Sequence, residues 1–158
     1  MKYYLNEYWE MVDLSDPIAI EEARTKWIKT AEKYKPYFDT IKDKLPKGFM
    51  KEFSKNSWFH DFNIDNINIT STYNGTTSII LNISHKECAY KLTFLGVERS
   101  FINIPNTKGF MYGKLTWGYP EFELNDDNTW IIRVLCDQKC EFEIHFKRIS
   151  IEKLYVKG

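Results

Sequence analysis

The fold is decided by one stretch, Trp58–Ile69, which reads WFHDFNIDNINI. Before it, apolar residues recur every three or four positions, the spacing of helices. After it, they alternate with polar residues, the spacing of strands. Helices that are segregated from strands along a chain pack on one face of an antiparallel sheet. The sequence therefore predicts an α+β fold with three or four helices at about residues 5–55 and five to seven strands at about residues 62–155.

The length and composition are those of one globular domain. The chain has 158 residues, enough to bury about two-thirds of its unfolded surface in a single core. Hydrophobic residues make up 43% and charged residues 28%, close to globular averages, so the chain is expected to fold. We predict a single domain, residues 1–158, with a helical part at 1–56 and an antiparallel β part at 57–158.

The charge and the hydropathy pattern argue against two classes of partner. Lys and Arg together number 22, and Asp and Glu also number 22, which leaves no long-range positive field to attract nucleic acid. No apolar run approaches the ~20 residues that cross a bilayer. Glu7 interrupts the N-terminus before the apolar core of a signal peptide could form. We therefore expect a cytoplasmic protein that binds neither nucleic acid nor membrane.

Apolar spacing predicts the helices. Ser15-Asp16-Pro17 is a start signal, because a side-chain oxygen there can accept from free amides and proline at the first helical position loses no hydrogen bond. Pro36 is expected to end or kink this helix. The predicted helical positions are Leu5, Tyr8, Trp9 and Val12; then Ile20, Ala23, Trp27, Ala31 and Tyr34; then a further helix to about Lys44; and last Phe49, Met50 and Phe53.

Alternation with a period of two predicts the strands. A parity break at Asp65-Asn66 indicates a β-bulge, and Asn74-Gly75 predicts a type I′ hairpin turn. Pro120 restricts its segment to a sheet edge or an interruption. The predicted apolar positions are Phe62 and Ile64, then Ile67 and Ile69; Ile79, Leu81 and Ile83; Tyr90, Leu92 and Phe94; Leu115, Trp117 and Tyr119; Trp130, Ile132, Val134 and Cys136; and Phe142, Ile144 and Phe146.

His60 and Asp61 are the leading candidates for chemistry. An Asp that bonds an imidazole fixes its tautomer and raises its basicity, as in general bases and metal ligands. Neighbours in an extended strand point to opposite faces, so these two are not expected to bond each other. A catalytic or metal role would then need a partner from elsewhere in the chain. The available side chains are His85, Glu87, Glu141, Glu143 and His145, of which the last three share the polar face of a later strand. In the alternative, Asp61 braces the start of the sheet and His60 packs among aromatic residues.

An aromatic segment around residues 112–122 is a candidate binding surface. It contains Tyr112, Trp117 and Tyr119 near glycines and a proline. If they are exposed, such side chains would form a stacking or partner-binding surface. If they are buried, they belong to the core, and the sequence leaves both alternatives open.

The remaining ligand-type residues lead us to expect no cofactor and no metal. Cys136 and Cys140 form a CxxxC, unlike the CxxC of zinc ribbons, so they are expected to be small hydrophobic residues at strand ends. His85–Cys88 brings several ligand types together, but in a predicted solvated turn. The sequence contains none of the familiar nucleotide-binding, metalloprotease or hydrolase motifs.

Five short blocks along the chain carry a family resemblance. They are Met1–Tyr4 with Glu7 and Trp9, Phe59–Asp61, Tyr90–Val97, Trp117–Glu121 and Phe142–Ile151. Together they resemble a family of uncharacterised bacterial domains, mostly from Firmicutes, which implies an α+β fold and no known activity. Phe59 stands where that family usually has Leu. Similar His-Asp strand starts also occur in small immunity proteins that neutralise bacterial toxins.

Two hypotheses of function follow from the sequence. The leading one is a non-enzymatic cytoplasmic binding or protein-interaction domain, of which toxin immunity is one form. It rests on the missing catalytic motifs, the zero net charge and the aromatic segment. The alternative is a hydrolase or metal-assisted enzyme that uses His60 and Asp61 with His145 or Glu143. That alternative predicts that these side chains converge within one hydrogen-bond or metal-ligand shell.

Overall fold

The structure is a computed structural model that describes residues 2–5, 7, 16–104, 115–136 and 140–154. Within these ranges helix α1 spans Pro17–Ile41 and α2 spans Lys47–Lys55, each followed by a 3₁₀ turn, at Lys42–Lys44 and Ser57–Phe59. The strands are β1 Asn63–Ser71, β2 Thr77–His85, β3 Cys88–Leu95, β4 Arg99–Asn103, β5 Leu115–Leu124, β6 Trp130–Cys136, β7 Glu141–Phe146 and β8 Arg148–Leu154. The predicted α+β class is confirmed. None of the described helices has the length and apolarity to span a membrane.

Helix α1 begins as the sequence predicts. The Asp16 carboxylate accepts a hydrogen bond from the Ile18 N–H at 3.0 Å, and Pro17 occupies the first helical position. The buried stripe follows the predicted face in part, since Ile20 and Ala31 are exposed. Its buried members are Ala23, Thr30, Tyr34, Phe38 and Ile41. The helix predicted at about residues 5–12 lies mostly outside the described residues.

Pro36 does not end α1, so a helix end at this position was the wrong prediction. The helix runs through Pro36 to Ile41 before it tightens into the 3₁₀ turn. Proline cannot donate to the carbonyl four residues earlier, here that of Glu32. Both residues are exposed, so water can satisfy this carbonyl. Tyr34 and Phe38 are buried, and their packing keeps the helix continuous.

The strands form one antiparallel sheet in the order β4-β7-β6-β5-β1-β2-β3-β8. Eight strands exceed the predicted five to seven, because two long runs each bend into two strands. The first run turns at Gly96, with φ of +63°, between β3 and β4, and the second turns at Lys147, between β7 and β8. Both runs therefore cross from one end of the sheet to the other, where β3 pairs with β8 and β4 pairs with β7.

The inner face of the bent sheet carries the core. Phe94 of β3 and Phe146 of β7 meet with their ring centroids 5.0 Å apart, so both ends of the sheet share one core. The predicted apolar faces of β2, β3, β6 and β7 are buried, which confirms them. Strand β6 is covered on its other face as well, where Ile131 and Leu135 are buried.

Helix α1 covers the open edge of β5. Among the described residues, β5 pairs with β1 only at its first two positions. Further along, the Tyr34 hydroxyl accepts a hydrogen bond from the Phe122 N–H, and the Tyr37 hydroxyl accepts one from the Leu124 N–H at 3.2 Å. Pro120 precedes Phe122 by two residues, so its donorless nitrogen faces the same edge. This confirms Pro120 as an edge residue.

The N-terminal segment is held against β5 by a buried carboxylate. Glu121 accepts hydrogen bonds from the backbone N–H groups of Lys2 at 2.8 Å, Tyr3 at 2.7 Å and Tyr4 at 2.6 Å. Only 1% of Glu121 is exposed. Charge-assisted bonds of this kind satisfy a carboxylate that would otherwise be costly to bury.

The β1–β2 hairpin confirms the predicted bulge but not the predicted turn. The strand register shifts between Ile64 and Asn66, as the parity break indicated. Gly75 has φ of +80°, whereas Asn74 is not among the residues with positive φ. A type I′ turn needs positive φ at both positions, so that prediction is wrong. The Gly75 N–H instead donates to the Thr72 carbonyl at 2.9 Å, as in a three-residue hairpin loop with one left-handed glycine.

Candidate functional site

Between α2 and β1 the backbone makes a left-handed turn that contains no glycine. Ser57, Trp58, Phe59 and Asp61 have φ values of +51°, +60°, +61° and +69°. This conformation costs an L-residue about 1–2 kcal/mol and is uncommon outside glycine. The N–H groups of residues 59, 60 and 62 each donate to the carbonyl three residues earlier, at 2.9, 3.1 and 3.0 Å. We call residues 57–61 the left-handed turn.

Aromatic packing on both sides holds the left-handed turn in place. The Trp58 ring stacks on Phe53 of α2 at 5.6 Å and lies 5.3 Å from Phe38 of α1. Phe59 is completely buried, with Tyr90 of β3 at 5.5 Å. These contacts tie the turn to both helices and to the sheet, and their burial offsets the backbone strain.

His60 and Asp61 lie within ion-pair distance of each other, so the expectation that they point to opposite faces was wrong. The His60 Nδ1 and Asp61 Oδ1 atoms are 3.0 Å apart. The expectation assumed an extended backbone, whereas the left-handed Asp61 brings both side chains together. The Asp61 N–H also donates to the Trp117 carbonyl at 2.9 Å, which anchors the pair to β5. The two side chains are 35% and 68% exposed, so a ligand can reach them.

His85 joins this pair through the backbone of the same aspartate. Its Nδ1 lies 2.9 Å from the Asp61 carbonyl oxygen, and its ring stacks on Phe62 at 5.4 Å. A carbonyl oxygen only accepts hydrogen bonds, so Nδ1 of His85 carries the hydrogen in this contact. The Asp61 carboxylate lies 3.0 Å from His60 Nδ1, and this contact leads us to expect the same tautomer there. Each neutral imidazole would then present a bare Nε2, which can accept a hydrogen bond or a proton.

The two histidines lie in an open cleft of about 630 Å³. The left-handed turn contributes Ser57, His60 and Asp61, and the β2–β3 hairpin end contributes His85 and Cys88. This volume lies within the range of small-ligand sites. The sequence named His85 among the possible partners of His60 and Asp61 and placed His85–Cys88 in a solvated turn, but no local pattern indicates that this hairpin end meets residues 57–61.

His145 and Glu143 belong to a charged row on the outer face of the sheet. His145 Nε2 lies 2.6 Å from Glu143 Oε1, and Arg133 Nε lies 2.7 Å from Glu143 Oε2. A second Arg133 nitrogen bonds Glu123 at 2.8 Å. Partial burial acts to raise the pKa of Glu143, but the bonds from His145 and Arg133 outweigh it and hold that pKa below its usual value. Each of these side chains thus has a partner within the row.

The structure does not bring the four candidate catalytic side chains into one site. His60 contacts Asp61 on the left-handed turn, whereas His145 bonds Glu143 on β7. The ring centroids of Tyr119 and His60 are 5.0 Å apart. Strand spacing puts the Cα atoms of Tyr119 and Glu143 roughly 12 Å apart. Across the described ranges, no three His, Cys, Asp or Glu side chains are grouped so that they could hold a metal ion. The convergence that the enzyme hypothesis predicted with His145 or Glu143 is therefore not found.

The described part of the aromatic segment packs into the protein. Trp117 is completely buried, so it does not form an exposed binding surface. Tyr119 is half-buried between His60 and Trp27, whose ring centroid is 4.2 Å away. Tyr112 lies outside the described residues. Trp117 therefore belongs to the core, which is one of the two alternatives that the sequence left open.

The cysteines near the β6–β7 connection are buried, as expected of small hydrophobic residues. Cys136 is 0% exposed and Cys140 is 1% exposed, and the Cys136 N–H donates to the Cys140 carbonyl at 2.8 Å. Cys88 differs, because it begins β3 at the cleft and is partly exposed.

A scan against protein-family models found no matching family, and a search of curated proteins found no match. The resemblance to uncharacterised bacterial domains therefore stays a prediction, and the function must be argued from the cleft itself.

Proposed function

We propose that this protein is a non-enzymatic binding domain of the cytoplasm and that its binding site is the cleft around His60. One observation carries the proposal: the cleft wall is a strained left-handed turn of ordinary L-residues, held rigid by buried aromatic rings. Strained backbone persists where the surrounding structure over-determines it, and it concentrates at ligand-binding and active sites.

The cleft chemistry indicates a polar ligand. His85 offers a bare Nε2 acceptor, His60 a second imidazole and Asp61 carboxylate oxygen, and Lys86 and Glu87 add one charge of each sign to the lining. The zero net charge of the chain supports a partner other than nucleic acid. We propose that the natural ligand is a polar group presented by another protein. A toxin as that protein is one specific form of the proposal.

An NMR titration tests the site. The probes are a panel of blocked tripeptides that differ in the central residue, added to ¹⁵N-labelled protein. We expect shifts of the backbone amides in residues 57–62 and 85–88 for peptides with a polar central residue. His60→Ala and Asp61→Asn should abolish them. His145→Ala, which changes a histidine outside the cleft, should leave them intact. Shifts confined to other surfaces, or unchanged in His60→Ala, would sink the proposal.

A second candidate function is acid–base catalysis in the same cleft. The observation that favours it is the 3.0 Å contact between His60 Nδ1 and Asp61 Oδ1, which orients an imidazole whose other nitrogen is open. His85, one of the partners that the sequence made available to this pair, then supplies the second imidazole. Turnover of ester or phosphodiester substrates that is lost in His60→Ala and kept in His145→Ala would establish catalysis and overturn the non-enzymatic proposal.

A further inference from the structure

Strand β4 is an open end of the sheet. It pairs with β7 on one side, and the sheet order places no described strand on its other side. Phe101 in its middle is 53% exposed, and Ile104 just beyond it is 52% exposed. An end strand presents unpaired backbone N–H and C=O groups, on which another strand can pair. The β4 sequence, RSFIN, has one charged residue, Arg99, and no proline within its five residues.

The side chains beside this edge alternate in a regular way. Arg99, Phe101 and Asn103 are exposed on the outer face, where they lie opposite His145, Glu143 and Glu141 of β7. Thus β4 begins with the basic Arg99 and has the aromatic Phe101 at its centre. It ends with the neutral Asn103, which lies opposite the acidic Glu141 of β7. Such a pattern complements itself when the strand is turned end to end.

We propose that β4 pairs antiparallel with β4 of a second copy, about a two-fold axis at Phe101. In this register the two Phe101 rings are cross-strand neighbours, and aromatic pairs of this kind stabilise sheets. Each Arg99 lies opposite Asn103 of the partner subunit. Glu141 of the partner subunit lies one strand further on, so its backbone is ~10 Å from that of Arg99. Extended Arg and Glu side chains span that distance together. The interface is isologous, as in most two-fold dimers.

The charge pattern selects a second copy as the occupant. Within its own chain Arg99 lies opposite His145 and diagonal to Glu143, whose carboxylate already bonds His145 and Arg133. The two-fold pairing adds Glu141 of the partner subunit near Arg99 at both ends of the interface. Five paired residues bury a small area, at the low end of specific interfaces. The dimer is therefore weak, and it forms in the range of roughly 10 µM to 1 mM protein.

Charge reversal in two separate variants tests the register. Arg99→Glu sets two carboxylates against each other in its own dimer, and Glu141→Arg sets two guanidinium groups against each other. Sedimentation velocity should show each variant dimerising at least about tenfold more weakly than the wild type. An equimolar mixture restores both attractive contacts, Glu with Arg and Arg with Glu, and should regain dimers. A misfolded variant could not be rescued by mixing, so the recovery is specific to the pairing.

Two lysine variants distinguish the free edges. Phe101→Lys should make the protein monomeric over the whole concentration series. Ile69→Lys is the matched control, because Ile69 is 57% exposed on β1, whose described partner along that stretch is β2 alone. It should leave the dimer unchanged. A wild type that stays monomeric at every concentration overturns the second copy as occupant. Dissociation by Ile69→Lys alone, or a mixture that does not regain dimers, overturns the β4 register.

Discussion

At the scale of single residues, neighbouring oxygen atoms favour one nitrogen of each histidine as the carrier of the hydrogen. His60 and His85 approach oxygens of Asp61 through Nδ1, whereas His145 approaches the Glu143 carboxylate through Nε2. We therefore expect the two histidines in the cleft to share one tautomer and the histidine in the charged row to have the other.

Long-range ¹H–¹⁵N spectra at about pH 8, where ordinary imidazole is neutral, should show these tautomers directly. We expect hydrogen on Nδ1 for His60 and His85 and on Nε2 for His145. Asp61→Ala removes the carboxylate that contacts His60 but keeps the backbone carbonyl that contacts His85. Only the His60 signals should then change tautomer pattern. A wild-type spectrum with hydrogen on Nε2 of His60 would contradict the assigned geometry.

At the scale of elements, the left-handed turn is the joint between the helical part and the sheet. No glycine relieves it, so its conformation is imposed by the packing of Trp58 and Phe59. The strain lies in the backbone of individual residues with positive φ. A glycine substitution at one of them should relieve that strain and stabilise the fold.

Ser57→Gly should raise the free energy of unfolding by about 0.5–1 kcal/mol, because relief of about 1–2 kcal/mol of strain exceeds the entropic cost of a glycine. Ser54→Gly is the matched control: Ser54 is also exposed but lies in right-handed α2. There the same change should lower the free energy of unfolding by about 0.5 kcal/mol. Urea denaturation measures both. Destabilisation of equal size in the two variants would show that residue 57 is not strained.

At the scale of the whole molecule, buried tyrosines make the fold sensitive to alkali. Burial raises the pKa of Tyr4 to about 12 and of Tyr90 to about 12, and it raises the pKa of Tyr34 further. Above pH 10, the usual tyrosine pKa, these hydroxyl groups keep their protons in the folded protein. In the unfolded chain the same hydroxyl groups lose their protons in that range. The folded state then binds more protons, so stability is complete below pH 10 and falls as the pH rises from there.

Tyr34→Phe separates two effects of one hydroxyl. It should lower the free energy of unfolding at pH 8 by about 1–3 kcal/mol, because the buried Phe122 N–H loses its acceptor. Above pH 10 its stability should fall less steeply, by about 1.4 kcal/mol per pH unit, since one raised pKa is gone. Tyr73→Phe, at a fully exposed position, should match the wild type in both ranges. Denaturation at pH 8 and between pH 10 and 12 measures this, and an unchanged slope in Tyr34→Phe would contradict it.

Local pattern alone was enough to predict the α+β class and the buried faces of β2, β3, β6 and β7. The alternation of Ile79, Leu81 and Ile83 places one face against the core whatever the neighbouring strand is. The Asp16 cap and the bulge after Ile64 were likewise predictable, because each depends on residues within a few positions of one another.

Only the tertiary structure decided the strand count, the pairing order and the cleft. Two long runs bend because β3 pairs with β8 while β4 pairs with β7, and such pairing joins residues far apart in sequence. The left-handed turn has the same origin: aromatic contacts from α1, α2 and β3 force L-residues into a conformation that their own preferences oppose. That distant packing is what brings His60, Asp61 and His85 together, and no local pattern encodes it.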